Sequence, residues 1–171
     1  MIGKYLVKWK TKFALKHKAK QGSMSYLDAK QLGILYTYTT EKNHELVNDW
    51  VKGLEAEGKS VKVITYIPKV KKADSFDYPF FSDRDLGSSG KWKKSEVQSF
   101  NETPFDYLIT LDKGLNQYTR NLMATAKASC RVGVFAEGES DYFEMMINHD
   151  GNDFGALLRQ VHHYIKNVRN E

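Results

Sequence analysis

Apolar positions along the chain fall into two alternating periods, and the alternation predicts strands and helices in turn. Leu32-Gly33-Ile34-Leu35-Tyr36-Thr37-Tyr38 is an unbroken apolar to aromatic run, as expected of a strand buried on both faces. Thr39 or Thr40 can cap the helix that follows, where Leu46, Val47, Trp50, Val51 and Leu54 recur at helical spacing and Gly58 is the expected stop. Residues 61 to 67 form a second, β-branched strand that Pro68 ends, which completes a strand-helix-strand unit of the length a right-handed parallel crossover needs. Further on, Phe105 to Leu111 predicts a third strand. Residues 115 to 129 predict a helix with Leu115, Tyr118, Leu122, Met123 and Ala126 inward, and residues 131 to 135 a fourth strand. A fifth strand is expected over 142 to 147. A last helix over about 152 to 168 carries Phe154, Leu157, Leu158, Val161, Ile165 and Val168 on one stripe.

Residues 69 to 104 break this rhythm. Lysines at 69, 71 and 72 open a polar stretch, Phe76 to Phe81 follows, then the turn-rich Ser82 to Gly90 and a short helix from Ser95 to Phe100. The pattern as a whole predicts an α/β fold: a single three-layer Rossmann-like domain over residues 23–171, with a mainly parallel sheet of about five strands.

The first residues follow a different pattern. At about 100° per residue, Ile2, Tyr5, Leu6, Trp9 and Phe13 share one helical stripe, while Lys4, Lys8 and Lys18 lie opposite. Residues 2–19 therefore predict a basic amphipathic helix, with Gln21-Gly22-Ser23 as stop and hinge, and residues 1–22 read as an arm preceding the α/β domain. Charge sharpens this division. The chain of 171 residues has 26 Lys+Arg and 21 Asp+Glu, a net charge of +5. Seven of those bases are lysines within residues 1 to 20, where there is no acid; the other 19 meet 21 acids, so the remainder sums to −2. The basic character belongs to the arm.

Several chemistries are missing. One cysteine cannot make a disulfide framework, and no run approaches the roughly 18 apolar residues of a membrane span. The first twenty residues lack the apolar stretch and cleavage site of a signal peptide, so a reducing, cytoplasmic location is expected. The turn after the first strand has no glycine, which excludes a dinucleotide fingerprint or a P-loop there. The five histidines have no metal-ligand spacing, no paired-cysteine zinc signature is present, and no cofactor is implied. Cys130 reads as a small buried residue, and His44, at a helix start, as a capping or surface residue. At the carboxyl edge of the sheet, Thr39, Thr40 and Asn43 follow the first strand, with Asp112, Lys113 and Asn116 after the third. If those strands are neighbours, Thr39, Thr40, Asn43, Asp112 and Asn116 define a polar crevice for a small polar ligand. Helix capping by Thr40 and Asn116 explains the same residues without a ligand.

Four stretches resemble a family of uncharacterised bacterial proteins, domain of unknown function 6913. They are the lysine-rich start, Phe80-Phe81-Ser82-Asp83-Arg84-Asp85-Leu86 with Gly90 behind it, Phe105-Asp106-Tyr107-Leu108-Ile109-Thr110, and Lys127-Ala128 leading to Arg131-Val132-Gly133 and Met146-Ile147-Asn148. The resemblance implies a cytosolic bacterial protein of one α/β domain and carries no activity. Asp106 to Leu111 and Arg131 to Val134 are also similar, more weakly, to the N-terminal half of heptosyltransferase-type glycosyltransferases, which bind nucleotide-sugar through a second domain that this chain has no room for.

The leading functional expectation is a binding or accessory module, not an enzyme. Its Lys4, Lys8, Lys12 and Lys16, with Trp9 and Phe13, would dock to an acidic surface: an anionic membrane face, on the cytoplasmic side, or a protein partner. Nucleic acid would be bound only non-specifically, because the arm has no Arg. The stripe could instead pack on the domain or on a second copy, giving a homo-oligomer. The alternative class is a small-ligand-binding or transferase-like enzyme using the crevice.

Overall fold

The computed structural model describes residues 2–17, 24–68 and 76–168. Among them run α1 (Ile2–Lys16), β1 (Gln31–Thr37), α2 (Glu41–Ala56), β2 (Ser60–Tyr66), β3 (Phe80–Phe81), α3 (Ser95–Glu102), β4 (Phe105–Thr110), α4 (Gln117–Thr125), β5 (Ala128–Val134), β6 (Met145–Ile147) and α5 (Phe154–Lys166). The six strands form one sheet in the order β3-β2-β1-β4-β5-β6, and every pair is parallel.

Apolar residues on both faces of the strands account for a three-layer arrangement. Leu32, Ile34, Tyr36, Val63, Tyr107, Ile109 and Val132 point to one side, where they meet Val47, Trp50 and Leu54 of α2 and Leu157, Val161 and Ile165 of α5. Leu35, Ile64, Phe81, Phe105 and Leu108 point to the other, against Val97 and Phe100 of α3 and Leu122 and Met123 of α4. A continuous apolar run, not an alternating one, is what burial on both faces requires.

The α/β class is as the pattern predicts, with six strands where about five were expected. The extra strand, β3, is two residues long and pairs only with Thr65 and Tyr66, too short to leave a periodic signal. The helix expected over 115 to 129 is confined to α4, because Ala126 turns to extended backbone and Lys127 N–H bonds Asn101 O, so that Ala128 already starts β5. The expected fifth strand over 142 to 147 shrinks to β6 behind a 3-10 turn at Ser140–Tyr142. The lysines at 69, 71 and 72, residues 18–19 of the first helix and the hinge at 21 to 23 lie outside the described residues.

The largest difference from expectation is the orientation of α1. This helix lies along α4 and the Gly87–Gly90 turn, yet the face it buries is Gly3, Val7 and Thr11, and its apolar stripe faces out except for Leu6, which is half-buried against Gly90. Closeness explains the choice. A Cβ on Gly3 would stand 2.5 Å from Gly87 O, and one on Gly90, whose φ is +67°, would stand 2.8 Å from the Leu6 Cβ. Aromatic side chains do not fit such a seam. Hydrogen bonds then fix it: Trp92 Nε1–H donates to Asn121 Oδ1 (2.9 Å), Asn121 Nδ2–H to Thr11 Oγ1 (3.0 Å), and Thr11 Oγ1–H to Val7 O (2.7 Å). Lys10 Nζ adds bonds to Ser89 O and Gly90 O. The Ser88-Ser89 turn, a loop in the sequence pattern, is thus the seat of α1.

Candidate functional site

The sheet order places β1 and β4 side by side, with Leu32 opposite Tyr107 and Leu35 opposite Thr110. The chain leaves β1 for α2 on one face of the sheet and leaves β4 for α4 on the other. Where two adjacent parallel strands send their connections to opposite faces, a cleft opens at their carboxyl ends. Here that cleft has a volume of about 420 Å³ and is lined by residues of the β1–α2, β4–α4 and β6–α5 connections.

Its floor is built around Asp112. Oδ1 accepts from Thr37 N–H (2.8 Å) and Oδ2 from the Thr37 hydroxyl (2.7 Å), which ties the ends of β1 and β4 together. Burial, opposed by the two Thr37 bonds and helped by the nearby Glu139 charge, raises the Asp112 carboxyl to about 6. Glu139 itself is buried, and its Oε1 accepts from Leu115 N–H and Arg120 Nη2–H, both at 2.8 Å, so it holds the turn after β4 from behind. Lys113, at the rim, donates its Nζ to Gly151 O.

On the α2 side, Asn43 Nδ2–H donates to Thr39 Oγ1 (3.1 Å), and both line the cleft. On the β6–α5 side stand His149, Asn152, Asp153 and Phe154. Gln160 Nε2–H is engaged by Asn148 O (2.8 Å), so its Oε1 faces His149 Nδ1 (2.8 Å) and the imidazole proton is assigned to Nδ1. His149 Nε2 is then a buried acceptor, and it has no hydrogen-bond partner among the described residues. Three helices begin around the cleft, each capped by its own side chain. Thr40 Oγ1 accepts from Asn43 N–H, Asn116 Oδ1 from Tyr118 and Thr119 N–H, and Asp153 Oδ1 from Ala156 N–H.

A second surface is formed by α1. With Gly3, Val7 and Thr11 inward, Ile2, Tyr5, Trp9 and Phe13 project outward and are 70, 72, 64 and 53% exposed. Trp9 stacks on Phe13 (5.8 Å between centroids) and Phe13 on His17 (4.1 Å), making a continuous ridge. Lys4, Lys8, Lys12 and Lys16 are exposed along one flank of it. Among the described residues no helix is long and apolar enough to cross a membrane, and no group of three His, Cys, Asp or Glu is placed to hold a metal ion.

The sequence profile of the family of unknown function DUF6913 matches residues 4–168. The chain belongs to the DUF6913 family. Comparison with curated proteins and with solved structures gives no match. The match to DUF6913 spans both surfaces, from Lys4 to the start of α5 and beyond.

Of the residues that the DUF6913 sequence nominates for the crevice, the fold brings Thr39, Asn43, Asp112 and Asn116 into one cleft, whereas Thr40 serves as the α2 cap and lies outside the lining. Thr37, Glu139, His149 and Asp153 are the participants that sequence reasoning missed. Thr37 is hidden as the last residue of a strand, and the others come from segments brought in only by the β5–β6 pairing. Two single-residue expectations also resolve. Cys130 is buried, within β5, as anticipated for a packed thiol. His44, expected as a cap or on the surface, is instead buried between Tyr36 OH (2.6 Å from Nδ1) and Asp77 Oδ2 (3.2 Å from Nε2), because it sits on the inward face of the first turn of α2.

Proposed function

We propose that this DUF6913 protein is a peripheral docking module whose helix α1 lies on an anionic membrane face. The observation that carries the reading is the outward ridge of Ile2, Tyr5, Trp9 and Phe13 on a helix already seated by its opposite face. A helix that must fold on arrival loses conformational entropy at that moment, whereas this one is held in advance. Trp and Tyr favour the headgroup level, and lysines beside them can extend their amines toward lipid phosphates. Four lysines at about 1 kcal/mol each give about 4 kcal/mol, or nearly three decades in the binding constant.

The same charge argues against the other occupants. A second copy would set one file of lysines against another, and no acid interrupts α1 to relieve it. Single-stranded nucleic acid stacks its bases on open aromatic faces, but Trp9, Phe13 and His17 are stacked on one another.

The test is co-sedimentation of the full chain with vesicles of phosphatidylcholine alone and with added phosphatidylglycerol, at low and high salt. Binding is expected to the anionic vesicles only, to fall with salt, and to be lost in Lys4→Gln/Lys8→Gln/Lys12→Gln/Lys16→Gln and in Trp9→Ser/Phe13→Ser. Equal recovery with both vesicle types would refute the reading, as would dimerisation in solution that Trp9→Ser abolishes.

A second reading, small-ligand binding, is favoured by the cleft that gathers Asp112, Asn43, Lys113 and His149 at the carboxyl ends of two adjacent strands.

A further inference from the structure

The geometry points to the class of ligand that the cleft takes: a neutral compound carrying a vicinal diol, such as a furanose or pyranose ring. This inference rests on the small-ligand reading of the same cleft and is independent of the docking of α1. Three observations converge on it.

The first is which groups have bonding capacity to spare. Each Asp112 oxygen accepts one bond from Thr37 and retains a lone pair, so the carboxylate presents two adjacent acceptors. His149 Nε2 is an acceptor without a donor among the described residues. A ligand that satisfies these groups must bring hydrogen-bond donors, and two hydroxyls on neighbouring carbons match the two oxygens of one carboxylate.

The second is the balance of charge. An anion would meet the carboxylates of Asp112 and Asp153, and it would find the three helix N-termini already capped by Thr40, Asn116 and Asp153. A cation would meet the Lys113 ammonium, which its bond to Gly151 O holds at the rim, and the positive ends of three helices. Hydroxyl groups supply donors without adding a net charge of either sign.

The third is shape and lining. A volume of about 420 Å³ accommodates one ring with its substituents, and Leu111, Phe154 and Leu157 give the cleft an apolar wall for the carbon face of such a ring. Asn43, whose Nδ2 uses only one of its two protons on Thr39, and Asn152 are available as donors to the ring's remaining oxygens.

The experiment is amide chemical-shift mapping of the full chain with four probes: methyl ribofuranoside, its 2-deoxy analogue, in which the locked furanose ring leaves no vicinal diol, inorganic phosphate and putrescine. Uridine and 2′-deoxyuridine are added to separate a free sugar from a nucleoside as the source of the diol. The ribofuranoside or uridine is expected to shift the amides of Thr37, Asp112 to Asn116 and Gly151 to Phe154, with the 2-deoxy compound of each pair about tenfold weaker. Asp112→Asn is expected to abolish the response and Asn43→Ala to weaken it, the second variant keeping the Thr37–Asp112 tie intact should the first disturb the fold. Shifts of the cleft amides by phosphate or putrescine but by no diol would overturn the diol assignment and leave the small-ligand reading standing. Silence of the cleft toward every probe would overturn the diol assignment and remove the support for that reading. Equal affinity for the ribofuranoside and its 2-deoxy analogue would overturn the diol match to Asp112.

Discussion

Asp112 makes the stability of this protein depend on pH in a direction opposite to most carboxylates. Its carboxyl rises from an ordinary 3.8 to about 6 in the fold, because burial penalises the charged form more than the two Thr37 hydrogen bonds favour it. A folded-state value above the unfolded one means that protonation favours folding. The extra stability is therefore present in full below about pH 3.8 and is lost as pH rises through about 6. The full span, about two units at 1.36 kcal/mol each, is about 3 kcal/mol. Over the convenient interval from about pH 8 down to about pH 5, the linkage relation gives a gain of about 1.4 kcal/mol. For a chain of this size that is a rise in Tm of roughly 3 to 6 °C. The perturbation that isolates it is Asp112→Asn, an uncharged amide of the same shape whose Oδ1 can keep the Thr37 N–H bond. Urea denaturation of both proteins at the two pH values is the assay. Ionisations elsewhere in the chain are common to both proteins and cancel in the difference. Stability of the native chain should rise relative to Asp112→Asn by about 1.4 kcal/mol on going to the lower pH. Parallel pH profiles for the two proteins would refute the argument that burial of this carboxylate governs its ionisation.

Two further outcomes are expected. Glu57 behaves in the opposite sense: burial alone would raise its carboxyl, but bonds from Tyr26 OH and Lys166 Nζ and the neighbouring His162 bring it down to about 2. Its stabilisation is present above about 4.5 and lost as pH falls toward about 2, so acid titration from pH 5 downward should cost the native chain more than Glu57→Gln, and equal losses would contradict the assignment. Asn121→Leu keeps the number and branching of side-chain heavy atoms but leaves the buried Trp92 Nε1–H without its acceptor and Thr11 without its donor; a loss of about 1–3 kcal/mol is expected by calorimetry, and an unchanged Tm would show that the relay does not hold α1 in place.

How far these features could be read from the chain differs from one to the next. The helix caps Thr40 and Asn116 are legible because a cap acts on backbone two or three residues away. The Leu32 to Tyr38 run shows burial on both faces because every side chain of the strand must be apolar for that. The cleft is legible only in halves. Thr39 and Asn43 announce themselves after one strand and Asp112 and Asn116 after another, but nothing local states that β1 and β4 are neighbours. Thr37 and Asp112, 75 residues apart, meet because the sheet order makes them. His149 and Glu139 enter by the same route, through strand pairings at the far edge of the sheet.

Helix α1 marks the boundary most clearly. Its sequence alone determined an amphipathic, acid-free, lysine-rich helix, since that is a matter of spacing and composition. Which face would be buried was decided by tertiary structure, and by steric fit in place of hydrophobicity. The seam against Gly87 and Gly90 is so narrow that Gly3, Val7 and Thr11 can enter it and Tyr5, Trp9 and Phe13 cannot. The aromatic ridge therefore remains on the surface for a reason that no count of apolar positions contains: the close approach of two backbones fixes the inward face, and the outward one follows from it.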